Sequence, residues 1–167
     1  EYLESMLGAW AGRVASFNVN HRYIADELHY LLTDADAKAV VVNSMYAPNL
    51  AEVLPQLPNL GLIVQVPDES GNGLLPGAIY YEDFLREQEP RDLDDCSPDD
   101  LYLLYTGGTT GMPKGVLWRN ADFFVGALGG LDRKTGLDYD SYAEVASAAA
   151  RGTIKWMTSA PFMHGAA

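Results

Sequence analysis

The sequence predicts a layered α/β fold with a largely parallel sheet, and two observations carry that prediction. Through the first half, stretches of helical apolar spacing alternate with short, continuously apolar runs joined by short connections. In the second half a further apolar run, Leu101–Tyr105, leads straight into a loop crowded with glycine and threonine. At 167 residues the chain is long enough for one domain with a substantial core, and 48% apolar with 20% charged residues is the balance of an ordinary soluble globular protein.

The elements follow in order. Tyr2, Leu3, Met6, Leu7 and Trp10 share one helical face, and Gly12 is a suitable C′ residue to stop that helix. An extended stretch is expected at Val14–Val19. Asn20 is placed to cap a second helix whose face carries Ile24, Leu28, Leu31 and Leu32, with Asp34 and Asp36 ending it. Ala39–Val42 reads as a short strand too apolar to face water on either side. Pro48 suits a first helical turn, with Leu50, Val53 and Leu54 behind it and Pro55 closing it. Gly61–Val66 reads as a second buried strand, the turn-rich Pro67–Gly77 as an exposed loop, and Glu82–Glu87 as a short helix.

Residues 1–86 thus form an α/β segment, residues 87–100 a solvated acidic linker, and residues 101–167 a segment built around the glycine-rich loop. Beyond the loop, Val116–Trp118 reads as a strand and Asn120 as the cap of a helix from Ala121. Tyr142–Ala150 is alanine-rich and helical in propensity, and Trp156–Ala160 reads as a strand ending at Pro161. No internal repeat or low-complexity tract interrupts this order.

Charge and cysteine content exclude several function classes. The net charge of −12 argues against a nucleic-acid partner, which needs clustered Lys and Arg. It leaves a nucleotide substrate open, because screening limits remote charges to about 8–10 Å. The single cysteine, Cys96, rules out an internal disulfide framework and suits a cytoplasmic protein. Without a basic partner it reads as an incidental thiol of the linker. There is no secretory signal and no apolar run of transmembrane length. Nothing in the sequence specifies an oligomeric state. Glu1 is not a start methionine, the first helix has no cap before it, and PFMHGAA ends without a polar tail. Both termini therefore read as interior to a larger protein.

The loop at Tyr105–Val116 carries the chemistry. Phosphate is bound by inward-pointing backbone N–H groups, hydroxyls and at least one cation. Gly107, Gly108, Gly111 and Gly115 allow close backbone approach and positive φ; Thr106, Thr109 and Thr110 bring hydroxyls that can also reach magnesium. Lys114 brings a mobile point charge, and Pro113 stiffens the chain before it. A Walker A loop fails because Lys114 is followed by Gly115 rather than Ser or Thr. A dinucleotide fingerprint fails on spacing and on the strand expected to follow. A ligand-free glycine-rich hairpin would not call for three threonines and a lysine among its glycines.

The run from Thr106 to Gly115, TGGTTGMPKG, closely resembles the signature of the adenylate-forming (AMP-binding) superfamily: acyl- and aryl-CoA synthetases, adenylation domains of nonribosomal peptide synthetases, and beetle luciferases. Where the commoner form has serine this chain has Gly107, which removes one hydroxyl. Asn20-His21-Arg22-Tyr23, Glu27-Leu28 and Ala37-Lys38 resemble an upstream structural motif of the same family, and Pro161-Phe162-Met163-His164-Gly165 a downstream one bordering the acyl and ATP sites. The resemblance spans nearly the whole chain.

It implies a two-step reaction. A carboxylic acid attacks the α-phosphorus of ATP to give an acyl-adenylate and pyrophosphate, and a thiol such as coenzyme A then displaces AMP. The nucleotide-binding residues so implied are Thr106, Gly107, Gly108, Thr109, Thr110, Gly111 and Lys114, with Thr110 toward Mg2+. Lys114 neutralises charge, and His164 contacts the carboxylate or α-phosphate to position them. His21 and His29 read as structural residues on helix faces. Phe123, Phe124, Trp156, Phe162 and Met163 serve either a hydrophobic acid pocket or the core. Gly107 together with VLWRN after the loop looks like bacterial fatty-acid-type acyl-CoA synthetases. An adenylation domain feeding a carrier protein and a non-catalytic nucleotide-binding module remain as alternatives. The family's adenine-binding stretch, magnesium-binding glutamate, ribose-binding aspartate and C-terminal lysine are not in this segment, so the segment alone is expected to be inactive.

Overall fold

The computed structural model describes residues 1–90, 96–106, 111–127, 130–132 and 134–152. The readings made for Gly107, Gly108, Thr109 and Thr110, for the strand at Trp156–Ala160 and for Phe162, Met163 and His164 lie outside the described residues. The elements are α1 (Tyr2–Ala11), β1 (Ser16–Phe17), α2 (Ala25–Asp34), β2 (Ala39–Asn43), α3 (Ala47–Val53), β3 (Leu62–Val66), β4 (Ile79–Tyr80), α4 (Tyr81–Arg86), β5 (Leu101–Thr106), β6 (Lys114–Arg119), α5 (Asn120–Ala127) and α6 (Tyr142–Arg151).

The strands sort into two sheets. β2, β3 and β4 are all parallel, while β5 lies between parallel β1 and antiparallel β6. The α/β class and the parallel bias hold, and the single sheet expected becomes two. β3 is central in its sheet, and Ile63, Val64, Gln65 and Val66 are buried. β2 is an edge strand whose Val41 is 44% exposed, which corrects the expectation that it is covered on both faces. A cleft of about 490 Å³ separates it from β1, lined by apolar side chains such as Phe17, Val19, Val40 and Val42.

Helix ends show where local signals were read correctly and where they were not. α1 ends in a pair of reverse bonds, Arg13 N–H to Trp10 O and Val14 N–H to Ala9 O, the pattern of a Schellman turn. The left-handed residue of that turn is Arg13 at φ 59°, whereas Gly12 sits at φ −85°, so the C′ position lies one residue beyond the glycine. α2 ends the same way, with Asp36 at φ 46° and Ala37 N–H bonded to Leu32 O.

Asn20 does not cap α2. Its Oδ1 accepts the Arg22 N–H at 3.0 Å in a local turn, and the cap position falls to Ile24. There the Glu27 carboxylate accepts the Ile24 N–H at 3.2 Å, which is the reach-back half of a capping box. Ile24 consequently stands outside the apolar face, 65% exposed, while Leu28, Leu31 and Leu32 are buried. The α6 start is capped by Ser141, whose Oγ accepts the Glu144 N–H at 3.3 Å.

The main core joins α2, α3 and β3. Leu28, Leu32, Leu50, Val53, Leu57 and Ile63 belong to one cluster, and Leu31 is wholly buried. A fully buried Leu contributes roughly 1.5–3 kcal/mol, so the periodicity of α2 and α3 accounts for much of what holds the first half together. Among the described residues two polar side chains are buried, Ser44 and Gln65. Gln65, with no exposed surface, donates to Ser44 Oγ and Gly73 O and accepts from Leu75 N–H. It ties the strand to the turn-rich loop after it.

Among the described residues the second half is joined to the first by the β1–β5 pairing, by aromatic packing, by hydrogen bonds and by the Arg13–Asp100 ion pair. Trp10 of α1, Tyr102 of β5 and Phe123 of α5 meet with ring centroids 4.8–6.1 Å apart. Phe123 is therefore committed to packing. At the end of the acidic stretch, Ser97 and Asp100 form a hydrogen-bonded turn, and Arg13, from the end of α1, grips the Asp100 carboxylate.

Candidate functional site

β5 rises from that anchored turn as an apolar strand and ends at Thr106. Its register with β6 pairs Tyr105 with Gly115 and Thr106 with Lys114. The residues between Thr106 and Lys114 thus connect the strands of an antiparallel hairpin. A strand follows the loop, and this excludes the Walker A and dinucleotide arrangements on geometry, since both run from the loop into a helix.

At the hairpin mouth Thr106 and Lys114 face each other across the ladder. The Thr106 hydroxyl donates weakly to the Lys114 carbonyl at 3.4 Å. Both residues are exposed, and among the described residues no carboxylate pairs with the Lys114 ammonium. Pro113, directly before it, is buried and pins the chain at the point where Lys114 projects. A hydroxyl and an unneutralised cation at the same rung suit an incoming polyanion.

Gly115 does not adopt positive φ; among the described glycines Gly71, Gly77 and Gly136 do. Gly111 faces open space. Gly115 is constrained sterically, because a Cβ there would lie 3.1 Å from Tyr105 Cζ and 3.3 Å from its hydroxyl oxygen.

Directly beneath the mouth, the Tyr105 hydroxyl donates to Asp34 at 2.7 Å, and the ring packs on Phe17 with centroids 5.7 Å apart. Burial, followed by the bond to Asp34 and that carboxylate's charge, pushes the Tyr105 hydroxyl well above its ordinary range, so it stays protonated and donating. The sequence marks Asp34 only as a helix end and Tyr105 only as a strand end. Asp34 ends a helix seventy-one positions away, a separation no local motif reports.

At the other end of the hairpin, Arg119 bonds Asp99 at 2.7 Å and reaches Asp122 at 3.5 Å, so the arginine of VLWRN anchors the hairpin base. His21 lies in the turn before α2 rather than on a helix face, its ring 5.9 Å from Tyr46, while His29 is on α2. The inter-sheet cleft is lined by neither Thr106 nor Lys114. Among the described residues no group of three or more His, Cys, Asp or Glu could hold a metal, and no helix is long and apolar enough to cross a membrane.

The model of the AMP-binding enzyme family matches residues 1–167, the whole chain. The chain belongs to the AMP-binding enzyme family. Among its curated relatives, the medium-chain acyl-CoA ligase Mig of Mycobacterium avium is 52% identical over 100% of this chain and 31% of its own length. A medium/long-chain-fatty-acid and 3-oxocholest-4-en-26-oate CoA ligase of Mycolicibacterium smegmatis is 38% identical over 99% of this chain and 31% of its own. The chain therefore spans about a third of the length of these relatives.

Solved AMP-binding structures share the fold. The anthranilate CoA ligase AuaEII, crystallised with anthranoyl-AMP, superposes with a TM-score of 0.61 at 26% identity, over 69% of this chain and 22% of that one. An acyl-CoA synthetase of Brucella canis does so with a TM-score of 0.62 at 21% identity, over 74% and 22%.

Proposed function

We propose that this chain is the phosphate-gripping segment of an ATP-dependent, AMP-forming acyl-CoA synthetase acting on medium-chain fatty acids. The observation that carries the reading is the hairpin mouth, where Thr106 pairs with Lys114 at one rung and, among the described residues, no carboxylate engages Lys114. Family membership and the acyl-CoA ligases among the relatives support the reaction class; the name of the Mycobacterium avium relative supports the chain length.

In the first step a carboxylate oxygen attacks the α-phosphorus of ATP, and the bond to the bridging oxygen breaks to release pyrophosphate. Negative charge grows on the departing phosphates, so preorganised donors and cations at that end lower the barrier. Thr106, Lys114 and the loop residues Gly107, Gly108, Thr109, Thr110 and Gly111 fill that role in this reading. In the second step the thiol of coenzyme A attacks the acyl carbon and AMP leaves. His164 orients the carboxylate and α-phosphate.

Magnesium, when bound, would supply further neutralisation of the phosphates. The donors at the mouth are hydroxyls, with Thr110 the nearest candidate by sequence, and they fit an ion carried in on the nucleotide better than a resident one. A single cysteine in 167 residues supports a cytoplasmic setting.

The test is pyrophosphate exchange by the full-length enzyme across fatty acids of increasing length. Exchange that depends on added acid and peaks at medium chain length is expected. Absence of exchange with every carboxylate tried would overturn the reading.

A further inference from the structure

We propose that Tyr105 and Asp34 form a latch that positions Thr106 and Lys114 for nucleotide binding, and that residue 115 is glycine because the latch occupies its side-chain space. The proposal rests on the hairpin mouth being the nucleotide grip.

The Tyr105 hydroxyl reaches out of the hairpin to α2 and donates to Asp34 Oδ2 at 2.7 Å. Tyr105 pairs with Gly115, one rung below the Thr106–Lys114 pair, so a hold on Tyr105 is a hold on the rung above it. The ring is confined on both sides. Phe17 packs against it at 5.7 Å, and a Cβ on residue 115 would come within 3.1 Å of it.

Asp34 is the last residue of α2, a helix with no basic residue in its last turn. A carboxylate there opposes the negative end of the helix macrodipole, a cost that is offset when the carboxylate engages a donor. The donor it engages is Tyr105.

Every residue of β6 is exposed, so beyond the buried Pro113 before it Lys114 is held through its pairing with β5. Displacing a phosphate-binding group by about 1 Å can cost on the order of 10²-fold in rate. Neither Tyr105 nor Asp34 is placed to touch substrate in this arrangement; both are positioning residues.

The experiment uses the full-length enzyme carrying Tyr105→Phe, Asp34→Ala, the double substitution, Asp34→Asn and Gly115→Ala. Tyr105→Phe keeps the ring packing and removes the hydroxyl alone. It and Asp34→Ala are each expected to raise the KM for ATP about tenfold with kcat changed less than about twofold, the loss of one charge-assisted hydrogen bond. The double substitution should be no worse than the worse single. Asp34→Asn retains an acceptor and should stay within about twofold of the unsubstituted enzyme. Gly115→Ala presses a Cβ against the Tyr105 ring and should raise the KM for ATP in the same direction as Tyr105→Phe, by a smaller factor.

In the unliganded protein, amide exchange at Lys114 should quicken about tenfold in Tyr105→Phe and Asp34→Ala but not in Asp34→Asn. Unchanged exchange at Lys114 in Tyr105→Phe, or single effects that multiply in the double substitution, would overturn the latch. If the unsubstituted enzyme shows no pyrophosphate exchange with any carboxylate, the functional reading falls, and the amide exchange still decides the latch.

Discussion

Arg13 grips Asp100 through two nitrogens, at 3.0–3.2 Å, from a backbone position in the left-handed region at φ 59°. The grip joins the end of α1 to the turn that launches β5. A non-glycine residue in that region costs roughly 1–2 kcal/mol, which the turn tolerates beside Gly12. Arg13→Gly and Arg13→Ala both lose the grip, but only Arg13→Ala keeps the strain. Arg13→Gly should therefore be the more stable of the two by about 1 kcal/mol in urea unfolding.

The same pair sets an acid response. The Arg13 hydrogen bond first, then the Ser97 N–H, holds the Asp100 carboxyl below its ordinary value of 3.8. A carboxyl depressed in the fold contributes stability above its unfolded pKa, and that contribution is lost as pH falls through the folded one. Asp100→Asn should lower the urea midpoint at pH 7. Its difference from the unsubstituted protein should shrink below about pH 4, as the native aspartate protonates.

Gln65 is wholly buried and makes three hydrogen bonds, to Ser44, Gly73 and Leu75. Gln65→Leu fills the space but leaves the Leu75 N–H and the Gly73 carbonyl without their partner. The Leu75 N–H is buried and the Gly73 carbonyl can turn to water, so one orphaned group at about 1–3 kcal/mol sets the expected loss in the denaturant midpoint. Ser44→Ala, which removes the 3.1 Å bond to Val66 O, should cost about 1 kcal/mol.

Lys114 is exposed, and among the described residues no ion pair engages it. Lys114→Ala in the full-length enzyme should lower pyrophosphate exchange on the order of 10²-fold, the effect of losing one preorganised charge at the departing phosphates. Its thermal midpoint should shift by no more than about 1–2 °C, as for an ordinary surface substitution.

Because the chain spans 31% of the length of its medium-chain relative, residues 1–167 alone should give no pyrophosphate exchange while the full-length enzyme does. Turnover by the isolated segment would contradict that expectation.

What the sequence determined by itself is local. Apolar spacing located α1, α2 and α3, because a helical face repeats within a few residues. Continuous apolar runs located β2, β3 and β5, because a short buried strand is legible in consecutive residues. What only the tertiary structure decided depends on residues distant in the chain. It placed β2 at an edge, moved the cap of α2 from Asn20 to Ile24, and gave the left-handed turn to Arg13 instead of Gly12. It also changed the reason for Gly115, from backbone freedom to the Tyr105 ring that fills its space. Packing chooses among conformations that local propensity leaves nearly equal in energy, and the contacts that choose, such as Tyr105 with Asp34, leave no local pattern in the chain.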